Sequence, residues 1–313
     1  MKQTPFPAED DRVASENPDQ GSRGTGSAEP LAASPLRGEA AQRRGGVLLA
    51  LRHFLLAIQF FTRIPVTGRL AGWVGFSPAM LRASAAHFPG VGLVVGGLSA
   101  AVFYGAWQAL PAQPAAAWVA AVACTVFSVL LTGAFHEDGL ADLVDGLGGS
   151  MNRERALDIM KDSRVGTYGA LALVLAVAAK VALLVLLAQA GGAWLAAVAL
   201  FAAHVTSRLM PLFVIRTLAH VGDTPQSKSK PLAESIAVAG LLAGLLWWAL
   251  AMALAGWLLP GAPWALAVVG ALMGMGWMWR LLHRRLQGFT GDGLGATQQV
   301  SEVCFYLAMA LAL

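Results

Sequence analysis

Charge is what this chain has least of. Only 13% of its 313 residues are Asp, Glu, Lys or Arg, against about 25% in a typical water-soluble domain. Apolar residues make up 57% and the mean hydropathy is +0.61. That is too much apolar surface for one soluble core of this size, and disorder needs low hydrophobicity. Cysteine is scarce as well. Cys124 and Cys304 are the two present, which excludes a disulfide framework or a cysteine zinc cluster. His53, His87, His204, His220 and His283 show no metal-ligand spacing. The net charge of +4 is small, and its basic residues form no stripe suited to nucleic acid. The class left is an all-α polytopic membrane protein.

Residues 1–46 differ from the rest. They hold seven acidic residues, six Lys/Arg, five Pro and six Gly without an apolar run. Such a segment cannot offset its ordering entropy by burial, so a disordered polar extension is expected. It has no apolar stretch of signal-peptide type. The membrane domain is expected over 47–313. Spans of about 20 apolar residues fall near 88–109, 115–134, 169–189, 193–214, 236–257 and 263–282. A seventh is expected to end in the apolar run 303–313 and to start earlier, near Gly293. Residues 47–61, interrupted by Arg52 and His53, read as a helix in the membrane interface.

The connections sort into two kinds. Residues 110–114, 190–192 and 258–262 are short and uncharged; 135–168, 215–235 and 283–302 are longer and charged. Lys and Arg stay on the cytoplasmic side, so the charged set is expected there. Trp107, Trp118, Trp194, Trp257 and Trp264 flank the uncharged turns like an interfacial aromatic belt. Lys180, inside a span, reads as a snorkelling side chain.

Three segments carry chemistry. The first, FHEDGLADLVDGLGG (135–149), spaces Asp138, Asp142 and Asp145 at i, i+4, i+7. On a helix they share one face within about 60° of arc. Their repulsion is relieved by a hard cation such as magnesium, which takes carboxylate and phosphate oxygens. His136 flanks them as a base or a helix-end residue. The second, MKDSRVGTYG (160–169), sets Lys161 and Arg164 beside Asp162, which suits a phosphoanhydride. The third, GFTGDGLGATQQVSE (288–302), has glycines at 288, 291, 293 and 295 around Asp292, and Glu302 at its end. Gly291 and Gly293 permit close backbone approach to a ligand. Arg63 in FFTRIP and Arg208 in HVTSRLMP are either phosphate contacts or cytoplasmic anchors.

Together and in this order, FFTRIP, the Asp-rich block, MKDSRVGTYGA, the Arg208 segment and GFTGDGLGATQQVSE resemble the cobalamin synthase family over roughly 47–313. The resemblance implies a magnesium-dependent enzyme of the cell inner membrane with a cytoplasmic active face. Its substrates would be adenosylcobinamide-GDP and α-ribazole or α-ribazole 5′-phosphate, its products adenosylcobalamin or the phosphate, plus GMP. Association with other enzymes of the same pathway is a further expectation. Asp138, Asp142 and Asp145 are then the expected metal ligands. Asp162, Asp292 and His136 are the expected catalytic groups, and Arg63, Lys161, Arg164, Arg208, Gly291, Gly293 and Glu302 the expected substrate contacts.

Two other readings compete. Asp142-Leu-Val-Asp145-Gly146 matches part of the CDP-alcohol phosphotransferase motif, but Leu147-Gly148-Gly149 stands where that family has Ala-Arg. Gly-rich spans with Lys180 suggest a secondary transporter, whose polar site would lie near the midplane. The acids here gather on one face instead.

Overall fold

The computed structural model describes residues 35–221 and 235–313, and among these the chain is helical without a strand. Helix α1 (Pro35–Phe61) begins inside the segment read as a disordered extension; residues 1–34 lie outside the described residues. There follow α2 (Gly68–Val74), α3 (Pro78–Ser84), α4 (Phe88–Ala109), α5 (Ala115–Thr132), α6 (Phe135–Gly149), α7 (Arg153–Met160), α8 (Thr167–Thr217), α9 (Val238–Leu258), α10 (Trp264–Arg285) and α11 (Gly291–Ala310). Residues 45–313 form one compact unit.

Local chemistry sets the boundaries. Ser77, Asn152 and Thr290 accept N–H groups from the first turns of α3, α7 and α11, each worth about 1 kcal/mol. Helix α5 ends where Gly133 and Ala134 both turn left-handed, at φ 68° and 61°. That tight corner starts α6 at once. The long stretch α8 breaks at Gly192, φ 81°, so it holds two of the expected spans back to back.

Five helical stretches are long and apolar enough to cross a membrane: Pro78–Ala109, Ala115–Thr132, Thr167–Thr217, Val238–Leu258 and Trp264–Arg285. They coincide with the six expected spans, since α8 is long enough for two. The chain is therefore a multi-pass membrane protein. The apolar part of α1, Gly46–Phe61, is shorter. Helix α11 starts near Gly293, as expected, but does not qualify by composition, because it carries Gln298, Gln299 and Glu302 inward.

Small residues let the helices approach closely. A side chain at Gly92 or Gly96 of α4 would enter α8 at His204, Val205 or Phe201. One at Gly270 or Gly274 of α10 would meet Cys304, Ala308 or Ser301 of α11. Backbone contact of this kind holds helices together where lipid offers no hydrophobic driving force. Leu171, Val174, Leu175, Leu242, Leu246 and Leu250 remain exposed, an apolar surface suited to lipid.

The charged connections meet at one end of the bundle. Arg153 Nε donates to the Leu286 carbonyl at 2.6 Å, and Arg285 Nη2 donates to the carbonyls of Leu147 and Ser150 at 3.0 and 2.7 Å. The Val221 and Phe289 N–H groups reach the carbonyls of Phe289 and Ala219, both at 2.9 Å. Residues 222–234 of the second charged connection lie outside the described residues.

Candidate active site

The site is built where α6 crosses the start of α11. Gly139 lets the helices touch: a Cβ there would stand 2.9 Å from both Cα and O of Asp292. Gly295 does the same against the His136 backbone. This crossing brings the Asp-rich block and the Gly-rich block together, so Asp292 joins Asp138, Asp142 and Asp145 in one acidic neighbourhood. The consequence is electrostatic. Partial burial, then the charges of Asp138, Asp292 and Asp145, push the Asp142 carboxyl up to about 7. Burial and Asp138 push Asp292 up to about 6. Asp138 is exposed; Asp142 and Asp292 are half-buried.

Asp145 has a job that the sequence did not disclose. It is buried, and its two oxygens accept the N–H groups of Gly166 and Gly169 at 2.7 and 2.8 Å. It thus caps the start of α8 and ties the second motif to the first. A carboxylate at a helix N-terminus is favoured by the helix dipole as well.

Among the described residues, no three Asp, Glu, His or Cys side chains converge into a formed metal shell. The donor chemistry nevertheless fits a divalent cation. Asp138, Asp142 and Asp292 are mutually repelling oxygen donors at a partly buried surface, and a doubly charged ion removes the repulsion that raises Asp142.

The second motif divides. Gly166 and Gly169 belong to the site, whereas Asp162 forms a bidentate pair with Arg164 at 2.5–3.2 Å on an exposed turn. The Arg164 guanidinium holds the Asp162 carboxyl down to about 2, which leaves it a weak proton acceptor. Asp162 is not among the charges that act on Asp142 or Asp292. Lys161 closes α7 and is exposed. Arg63 lies across the α5–α6 corner: its backbone N–H donates to Leu131 at 2.7 Å and its side chain covers Gly133.

Arg208 and Glu302 are placed deeper than an anchor or a loop contact would be. Arg208 is 4% exposed and Glu302 1%. Lys180 does not snorkel; its Nζ pairs with Glu302 at 2.7 Å. Glu302 also accepts from Gln298 at 2.7 Å and Tyr306 at 3.1 Å. Gln298 donates to Ser207 at 2.9 Å, and Gln299 reaches Glu137 at 3.0 Å. Arg208 Nη1 lies 2.8 Å from His204 Nδ1. Buried charge in a membrane protein survives only when paired in this way. Gln298, Glu302 and Tyr306 at i, i+4, i+8 were the available signal for a polar inward face on α11.

His136, Arg208 and Gly291 come together around a cavity that is also lined by Phe61, Phe88, Phe135 and Gln298. Burial holds the His136 imidazole neutral, well below its ordinary pKa.

Known proteins place this arrangement. Residues 53–310 match the family described as cobalamin-5-phosphate synthase. A Polaromonas sp. (strain JS666) protein named adenosylcobinamide-GDP ribazoletransferase is 55% identical over 84% of this chain and 98% of its own length. A protein of the same name from Albidiferax ferrireducens is 56% identical over 84% of this chain and 99% of its own. One from Vibrio parahaemolyticus is 40% identical over 82% and 91%. No solved structure matches the chain. With its acidic helix crossing, capped second motif and membrane bundle all inside the matched residues, this chain belongs to the cobalamin-5-phosphate synthase family.

Proposed function

We propose that the chain is an adenosylcobinamide-GDP ribazoletransferase that acts at the charged end of the bundle, on the cytoplasmic face of the inner membrane. The observation that carries the reading is the α6–α11 crossing, which gathers carboxylates from two distant motifs. The transferred group is the adenosylcobinamide phosphate. A ribose hydroxyl oxygen that is free in both α-ribazole and its 5′-phosphate, and so not the 5′-oxygen, bonds to the phosphorus that carries cobinamide. The bond from that phosphorus to the GMP oxygen breaks, and GMP leaves with the electron pair.

Asp138, Asp142 and Asp292 would hold magnesium, which when bound neutralises the pyrophosphate and stabilises the leaving GMP. Asp145 fixes the loop at Gly166 and Gly169 beside them. Asp292, across the helix contact from Asp138 and Asp142, is the group placed to take the hydroxyl proton if two carboxylates suffice for the cation. Arg63, over the α5–α6 corner, supplies positive charge toward the pyrophosphate. Transfers of this type depend mostly on positioning and charge neutralisation, which a crossing of two rigid helices provides.

The test is direct. Purified full-length chain in lipid nanodiscs is given adenosylcobinamide-GDP with α-ribazole or its 5′-phosphate, with and without magnesium. GMP and the corrinoid product are then quantified. Equal amounts of both, formed only with magnesium, are expected. GMP release without corrinoid product, or neither, would refute the reading.

A further inference from the structure

Beside the carboxylates lies a hollow of different character. Its walls come from five elements: Phe61 at the end of α1, Phe88 and Val91 at the start of α4, Phe135 and His136 of α6, Arg208 and Pro211 of α8, and Leu294 and Gln298 of α11. The rings form one aromatic cluster. Phe61 meets Phe88 edge-on at 4.3 Å and Phe135 at 5.3 Å, and it stacks with His136 at 6.3 Å. The cavity itself is about 30 Å³, room for a water or two, so the rings must part to admit a ligand.

Arg208, one of the lining residues, carries a buried donor without a protein partner. Arg208 Nε is buried and has no hydrogen-bond partner, although Nη1 is engaged by His204. An unmet buried donor costs about 1–3 kcal/mol or more. A ligand with an acceptor atom would relieve it.

The surrounding charges decide which ligand. Glu302 and Glu137 both act on Arg208, so its positive charge is already opposed within the protein. A phosphate here would compete with those carboxylates for Arg208 and sit among three phenyl rings. A neutral planar heteroaromatic with one acceptor nitrogen suits both the rings and the lone donor. Guanidinium groups also stack well on aromatic faces.

We infer that this hollow, resting on the transferase reading above, is the subsite for the aromatic base of the acceptor nucleoside, with Arg208 Nε donating to the ring nitrogen. The base is then held a short distance from the carboxylates at the α6–α11 crossing, and its ribose faces them. Phe88 and Phe135 are the rings that fit around it, and Gln298, fixed by Glu302 and Ser207, keeps the floor rigid.

The experiment measures KM for each substrate separately in nanodiscs for wild type, Phe135→Leu, Phe88→Leu, Arg208→Lys and Arg208→Gln. The substrates are adenosylcobinamide-GDP, α-ribazole and an α-ribosyl indole that lacks the acceptor nitrogen. Loss of a hydrogen bond to a charged donor corresponds to about a tenfold effect or more. KM for α-ribazole should rise about tenfold in Arg208→Gln and rise in both Phe variants, with KM for adenosylcobinamide-GDP within about twofold of wild type. The indole should bind wild type and Arg208→Gln equally weakly. A rise confined to adenosylcobinamide-GDP would assign the hollow to the donor and overturn the inference. So would an unchanged KM for α-ribazole in the Phe variants, or an indole that distinguishes wild type from Arg208→Gln. If Arg208→Gln does not fold, Arg208→Lys and the Phe variants carry the test. Wild type inactive with both substrates would instead refute the transferase reading.

Discussion

Gly139→Ala is the smallest change that should disable the site. The added methyl would sit 2.9 Å from Asp292 Cα and O, where ordinary contact is 3.4–4 Å. The obstacle is helix backbone, which cannot swing aside. Helices α6 and α11 must separate by about half an ångström to an ångström, with an overpacking cost of about 1–3 kcal/mol. A misplacement of that size can lower turnover by about 100-fold, because Asp292 moves away from Asp138 and Asp142. Gly97→Ala in α4 is the control, since nothing lies within 4 Å of its Cβ position. Turnover and thermal unfolding in nanodiscs would be compared for both variants. Gly139→Ala should lose turnover and some stability, and Gly97→Ala should lose neither. If the two matched within twofold in rate, the close crossing would not be what assembles the site.

Further expectations follow from charge. Folded Asp142 is raised from 3.8 to about 7, so between about pH 4 and 7 the folded chain keeps a proton that the unfolded chain has lost. Stability without divalent ions should therefore fall as pH rises across that window, and added magnesium should restore more of it at pH 8 than at pH 6. Thermal unfolding with and without magnesium reads this directly, and Asp142→Asn should flatten the pH dependence. Glu302→Gln leaves Lys180 unpaired inside the bundle and should cost about 3–5 kcal/mol, whereas Glu302→Gln combined with Lys180→Met should recover much of it; denaturation midpoints would show no recovery if the pair were unimportant. For topology, Ser150→Cys and Gln113→Cys, each with Cys124 and Cys304 replaced by Ala, should label oppositely in intact cells. An impermeant thiol reagent should reach Gln113→Cys only, and labelling of both from outside would contradict a cytoplasmic site.

Much of this architecture was readable from the length of its apolar runs. The six expected spans emerge within a few residues, because a helix crossing lipid needs about 20 apolar residues and short polar or uncharged turns separate them. Asp138, Asp142 and Asp145 share a helix as their spacing required. What spacing could not show is partnership across the chain. Asp145 looks like its neighbours in sequence, yet its fate is set by two backbone N–H groups more than twenty residues away. Lys180 read as a snorkelling cation because its partner, Glu302, sits on a helix whose polar residues lowered its apparent hydropathy. Asp162 read as a catalytic group and Arg164 as a substrate contact, but the two satisfy each other on an exposed turn. Arg208 offered two readings in sequence, and only its burial beside Phe61, Phe88 and Phe135 separates it from an interfacial anchor.

The central claim is that carboxylates on α6 and α11 act together with a divalent cation in the transfer. Its most direct test is the rate of GMP release as magnesium is titrated into nanodisc-embedded wild type, Asp142→Asn and Asp292→Asn, with both substrates saturating. Wild type should show saturable dependence on magnesium, and each variant should lose nearly all turnover while remaining folded. Turnover near the wild-type rate in either variant, or in wild type stripped of divalent ions by a chelator, would contradict it.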